Sequence, residues 1–239
     1  MGAARRTVTV YSDEPHSGLA DRFVDWNVEL RFDRLPEGTR EGFVTIRQAG
    51  EFLASVDVSV LAGFFEPSLT LPGRSRGDDG ALAMFLDSLD ETLFHATARR
   101  QLLAASREFE DRAWRVGAGR LTAGFQRPAA LEAQRSVYER LADCGLDVHV
   151  YFDGEWNTPT IPGVRMHAIR NDEIGQFWFV AFDGGPESQT TPGEGVSGRP
   201  SQACALLARE TEPRTYSGFW TYDQARVESL LDYLAETYR

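Results

Sequence analysis

The chain has 239 residues, 42% of them hydrophobic and 11% aromatic, which suffices for a sizeable core without disulfide or metal staples and is unlike a disordered chain. Its 36 acidic side chains outnumber 25 basic ones for a net charge of −11, and every basic residue is an arginine. That balance excludes a basic face for direct nucleic-acid contact or attraction to an anionic membrane surface, and it suits a protein of a salt-adapted organism, where screening removes self-repulsion.

Thr7-Val8-Thr9-Val10-Tyr11 alternates and is β-branched, which predicts a strand. Leu19, Phe23 and Trp26 then recur at helical spacing, Val28 to Phe32 alternates apolar with charged, and Gly42 to Ile46 reads as a further strand. A short helix through Val58, Leu61, Phe64 and Phe65 ends before Pro67, completing a small α/β module over residues 1–71. The run Pro72 to Gly80 is polar and rich in turn formers, which predicts a linker between this module and a second one over residues 81–239. Leu82, Phe85, Leu86 and Leu89 form one helical face, and a longer helix is expected from about Thr97 to Val116, ended by Gly117 and Gly119. Leu121 to Phe125 reads as a strand, and Pro128 opens a helix closed by Gly145. Strands follow at Leu146–Phe152, Val164–Ile169, Phe177–Phe182, Ala203–Ala208 and Thr215–Thr221, then a last helix from Gln224 to Tyr238 with Asp223 as its N-cap. The connection from Gly184 to Pro200 is long and full of Gly, Pro, Ser and Thr, and is expected to be mobile. The fold class is therefore α/β in the α+β sense: a small α/β module, then a mixed or antiparallel sheet flanked by helices.

Several stretches of the second module, in order from about residue 101 to 234, carry a resemblance. They are Ser106 to Ala113 (SREFEDRA), Gly117 to Gln126, Val148-His149-Val150-Tyr151, Phe177 to Gly184 (FWFVAFDG), Gln202 to Leu206 and, most specific, Gly218-Phe219-Trp220-Thr221-Tyr222-Asp223. On these stretches the chain resembles the DICT sensory domain, in the form of stand-alone haloarchaeal-type members. The resemblance implies a non-catalytic sensory role, with an unidentified small molecule or a separate signalling protein as partner, and supplies no catalytic residues and no known cofactor. Ligand contacts are expected from Arg112, Gln126, His149, Tyr151, Trp178 and Trp220.

The residues themselves offer little chemistry. His16, His95, His149 and His167 lack metal-ligand spacing, although His149 and His167 fall on predicted strands and can face one pocket. Glu108 and Arg112, and Asp111 and Arg115, stand at i and i+4, the spacing of ion pairs on a solvated helix face. Cys144 and Cys204 sit in apolar segments and read as buried free thiols in a reducing compartment. The sequence shows no nucleophile elbow and no phosphate-binding glycine loop. Met1 to Arg6 leads into a strand rather than an apolar leader, and no stretch approaches the ~20 apolar residues of a membrane span, so a cytoplasmic protein is expected. The aromatics Tyr151, Trp156, Phe177, Trp178, Trp220 and Tyr222 either line a flat apolar pocket or fill the core. Trp220 in particular is expected to be mostly core, with one ring face on a cleft shared with Tyr151 and Trp178.

Overall fold

The structure, a computed structural model, describes residues 6–13, 18–19, 23, 26–36, 42–65, 85–89, 93–154, 160–170, 173–186 and 201–238. The predicted linker Pro72–Gly80, most of the Gly184–Pro200 connection, and Leu82, His16 and Trp156 lie outside them.

The first sheet contains β1 (Arg6–Ser12), β2 (Val28–Arg34), β3 (Phe43–Gln48) and β4 (Glu51–Asp57), in the order β2-β1-β3-β4. β1 runs parallel to β2 and antiparallel to β3. Val8, Val10, Val44 and Ile46 occupy alternate positions and are all buried, which fixes the register of the central pair. β4 is a strand that the periodicity did not announce. Glu51-Phe52-Leu53-Ala54-Ser55-Val56-Asp57 buries only Ala54 and Val56, and a register irregularity opposite Ile46/Arg47 interrupts its alternation. Helix α1 (Val58–Phe65) follows directly.

The second sheet has seven strands in the order β5-β11-β10-β9-β6-β7-β8. These are β5 (Leu93–Ala98), β6 (Arg120–Phe125), β7 (Asp147–Asp153), β8 (Val164–Ile169), β9 (Phe177–Phe182), β10 (Cys204–Glu212) and β11 (Thr215–Thr221). β6, β7 and β8 are mutually parallel, and the remaining pairings are antiparallel, so the sheet is mixed. The long helix α2 begins at Arg99 and ends at Val116. β5 lies where the helix was expected to start, because the Ala-containing run Leu93–Ala98 has too few β-branched residues to mark its own strand. The segment between β6 and β7 is two helices, α3 (Pro128–Glu132) and α4 (Arg135–Asp143), rather than one. α5 (Gln224–Thr237) closes the chain, and the Asp223 carboxylate accepts from the Arg226 N–H at 3.0 Å as the expected N-cap.

The pairing places side chains in two sets of rows. Trp220, Leu206, Val180, Ala123, Val150 and Met166 stand in one row across β11, β10, β9, β6, β7 and β8. The next row is Phe219, Leu207, Phe179, Gly124, Tyr151 and His167, and pleating sends it to the opposite face. α2 packs on β9 and β10 on the Val180 side, and α5 packs on the same strands with the Phe179 side. Gly124 is required where it stands, since a Cβ there would lie 2.0 Å from the Phe179 ring. The principal hydrophobic cluster contains buried residues of both sheets, and Trp26 meets Trp220 edge-on with centroids 4.9 Å apart.

Candidate functional site

The six residues expected to contact a ligand fall into three places. Arg112, Trp178 and Trp220 belong to the α2 face of the seven-stranded sheet, His149 and Tyr151 to the opposite face, and Gln126 to the end of β6. The cleft expected to join Trp220, Trp178 and Tyr151 does not form, because Tyr151 occupies the row of opposite parity. Trp220 is core as expected, at 3% exposure.

On α2, Glu108, Glu110 and Arg112 are buried, which corrects the solvated reading of that face, while ion pairs form along it with partners other than the expected ones. Arg112 is 1% exposed, donates to Asp87 at 2.7 Å and lies over the Tyr222 ring with its Cζ 4.7 Å from the centroid. It does not pair with Glu108, which takes Arg115 instead at 3.1 Å. The Arg112 Nε and Nη1 atoms find no hydrogen-bond partner among the described residues. Its guanidinium is held charged above the usual arginine range: burial opposes the charge, but Cys204, Tyr222 and Asp87 together outweigh it. Glu110, 3% exposed, accepts from the Tyr138 hydroxyl at 2.9 Å and from Arg107. Burial pushes both Glu108 and Glu110 above the ordinary carboxylate range, against the pull of their arginine partners. Trp178 donates its indole N–H to Ser106 at 3.1 Å. α2 is thus tied by separate polar contacts to residue 87, to α4, to β9 and to the start of α5.

The two cysteines are free. Burial raises the Cys204 thiol to about 12 and also raises that of Cys144, so neither is poised as a thiolate.

On the other face, His149 and His167 do come together. Nδ1 of His149 is 2.9 Å from Nε2 of His167, and the rings are stacked with centroids 5.1 Å apart. Tyr151 also stacks with His167, with centroids 4.4 Å apart. Nε2 of His149 is 3.2 Å from the Asp147 carboxylate, which also meets Arg165 at 3.3 Å. Although close to Asp147, Nε2 of His149 makes no hydrogen bond among the described residues. Burial lowers the pKa of His167, reinforced by His149 and Arg165. Asp147, His149 and Tyr151 alternate along β7, so their shared face was legible in the sequence, but Asp147 was not singled out. Among the described residues there is no group of three or more His, Cys, Asp or Glu side chains able to hold a metal.

A groove of about 300 Å³ opens at the end of the sheet, lined by Gln126, Arg127, Gly175, Gln176, Arg209 and Glu210. Gln126 donates to the Gln176 carbonyl at 2.6 Å, and Arg127 pairs with Glu210 at 2.8 Å. Of these residues, sequence reasoning named only Gln126. Arg127 follows Gln126 directly, and the others come from a 3₁₀ turn (Ile174–Gln176) and the last part of β10, with no motif spacing to link them.

Comparisons with known proteins bear on the second sheet. The family model for DICT, described as the sensory domain in diguanylate cyclases and two-component systems, matches residues 83–211, more than half of the chain. No curated protein matches. Among solved structures, polyphosphate kinase from Porphyromonas gingivalis aligns over 99% of this chain and 46% of its own length, with 13% identity and a TM-score of 0.39. The chain therefore spans less than half the length of that protein.

Proposed function

The chain belongs to the DICT family of sensory domains in signalling proteins, and from that footing we propose that it is a non-catalytic receptor in which a small molecule sets the position of α2, and α2 passes the signal to a partner protein. The observation that carries the reading is the state of Arg112, a guanidinium buried to 1% exposure with two of its donor nitrogens unpaired. A buried donor without a partner costs about 1–3 kcal/mol. A helix seated on such a group, and tied elsewhere by single polar contacts, has a second position within reach at modest cost. The raised carboxyls Glu108 and Glu110 are sealed beneath the helix, where they serve packing better than general acid–base chemistry, which needs contact with substrate. The acidic, lysine-free composition supports a salt-adapted source. No described helix is long and apolar enough to cross a membrane, which accords with a cytoplasmic protein.

Native-state hydrogen exchange tests the mechanism. α2 amides should open with a free energy well below that of β6, β9 and β10, as a separate cooperative unit. Exchange of α2 only together with those strands, in one global event, would remove the basis for a moving helix. A second reading, an adaptor without a small-molecule ligand, draws support from Phe32 and Phe52, which are 50% and 56% exposed on the first sheet. It predicts a partner docked on that sheet and no metabolite response.

A further inference from the structure

The groove at the end of the seven-stranded sheet has the composition of an anion site. It holds two guanidinium groups, Arg127 and Arg209, and one carboxylate, Glu210, for a local charge of +1 in a chain whose net charge is −11. Glu210 is occupied on both oxygens. Oε2 takes Arg127 at 2.8 Å, and Oε1 accepts the backbone N–H of Arg214 at 2.8 Å. Its charge is thus spent in fixing Arg127 and the turn into β11, not in neutralising Arg209. Arg209 makes no hydrogen bond or ion pair among the described residues, although carboxylates outnumber cations 36 to 25 along the chain. Gln126 is held in place through its amide nitrogen by the Gln176 carbonyl, and the exposed Gln176 side chain makes no hydrogen bond among the described residues.

The position fits as well. β6 runs antiparallel to β9 on one side and parallel to β7 on the other, and Gln126 and Arg127 directly follow its C-terminal end. At the same end of the sheet stand the last part of β10, with Arg209 and Glu210, and the turn that leads into β9, with Gly175 and Gln176. Two planar guanidinium forks with neighbouring amides suit an oxyanion, which each fork can hold through two parallel N–H bonds. A volume of about 300 Å³ stands at the lower end of the range for small-molecule pockets.

We propose that this groove binds a small molecule through a carboxylate or phosphate group, with Arg209 and Arg127 as the charged contacts and Gln126 and Gln176 as the polar ones. The inference deepens the receptor reading and rests on it for its biological role. A path from the groove to the last helix exists. The 3₁₀ turn that carries Gln176 begins beside Glu173, whose carboxylate accepts from Tyr233 at 3.0 Å and also from Tyr238.

The experiment is a titration of the ¹⁵N-labelled full chain with inorganic phosphate and, separately, with succinate, at constant ionic strength held by potassium chloride. Saturable shifts at Gln126, Arg127, Gln176 and Arg209 are expected with at least one of the two, and the stronger response identifies the oxyanion. Arg209→Gln should weaken binding at least ten-fold. Arg209 is exposed, so the variant should keep its fold, checked by an unchanged near-UV spectrum. Linear, unsaturated shifts with both anions, shifts centred elsewhere, or unchanged affinity in Arg209→Gln would each overturn the site. Hydrogen exchange of α2 in the same samples separates the two readings. Groove binding that leaves α2 unchanged supports the site and counts against the moving helix. Protection of α2 by either anion that persists in Arg209→Gln removes the groove and leaves the helix reading standing.

Discussion

At the level of single residues, Trp220 and His167 make the most discriminating tests. Trp220 is enclosed between Trp26 and the α2 side of the sheet. Trp220→Ala should cost about 3–5 kcal/mol, as expected for a buried large aromatic. A double-mutant cycle of Trp26→Leu and Trp220→Leu, which removes the aromatic ring at each position, should show a coupling of about 0.5–1.5 kcal/mol for the edge-on pair, measured by denaturant unfolding. A Trp220→Ala cost under about 1 kcal/mol would contradict the core placement. His167 makes a prediction with a definite sign. Its folded pKa is lowered by burial, by His149 and by Arg165, so the folded state favours the neutral ring and the unfolded chain binds the proton more readily. The stability this contributes is complete above the unfolded value of about 6.5 and is lost as pH falls through the lower folded value. Asp147 opposes the trend, and Tyr151, stacked on His167, adds no charge at these pH values. In His167→Gln the fall in melting temperature on acidification below about pH 6.5 should be shallower than in the parent chain, and an identical profile would show that folding does not lower the His167 pKa.

Among elements, α2 is where local and tertiary preferences conflict. Charges at helical spacing normally face solvent, yet Glu108, Glu110 and Arg112 are buried here. Removing one member of a buried pair is usually destabilising because it strands the other charge. In this pair Asp87 is 38% exposed and can rehydrate once Arg112 is gone. Arg112→Met should therefore leave the melting temperature unchanged or raised, since it also removes two unpaired donors. A loss of more than about 3 kcal/mol would mean that the guanidinium is a net stabiliser, and would undercut the idea of α2 as a poised element. The same variant should alter the exchange rate of α2 amides if Arg112 sets the helix position.

For the molecule as a whole, two features dominate: a net charge of −11 and one hydrophobic cluster spanning both sheets. Self-repulsion of the acidic surface is screened within ~3 Å in molar salt, so the folded state should gain more from potassium chloride than generic salting-out provides. Thermal melting in dilute buffer and in 2 M potassium chloride checks this, and an equal or higher melting point in dilute buffer would refute it. The shared cluster also implies that the first sheet supports the second. Trp26, which sits just before β2, covers Trp220 on β11.

The sequence by itself determined most strand positions, the end of α2 at Val116, the cap of α5 and the family, because each depends on local periodicity, capping and short motifs. Val164–Ile169, Phe177–Phe182 and Thr215–Thr221 lie where alternation puts them, and Asp223 caps α5 as its side chain allows. β4 and β5 escaped notice because Ala and Ser carry almost no strand preference of their own and become strands only when neighbours pair with them. Tertiary structure alone decided which face each candidate residue occupies relative to the others. A strand's alternation separates its own two faces but does not tell whether Tyr151 on β7 shares a face with Trp220 on β11 until the register across the intervening strands is fixed. For the same reason Asp87 as the partner of Arg112, and Arg209 and Gln176 as neighbours of Gln126, could not be read in advance. They are separated by 25 residues or more along the chain, and only tertiary packing brings Arg112 to Asp87 and Gln126 to Gln176 within bonding distance and sets Arg209 in the same groove.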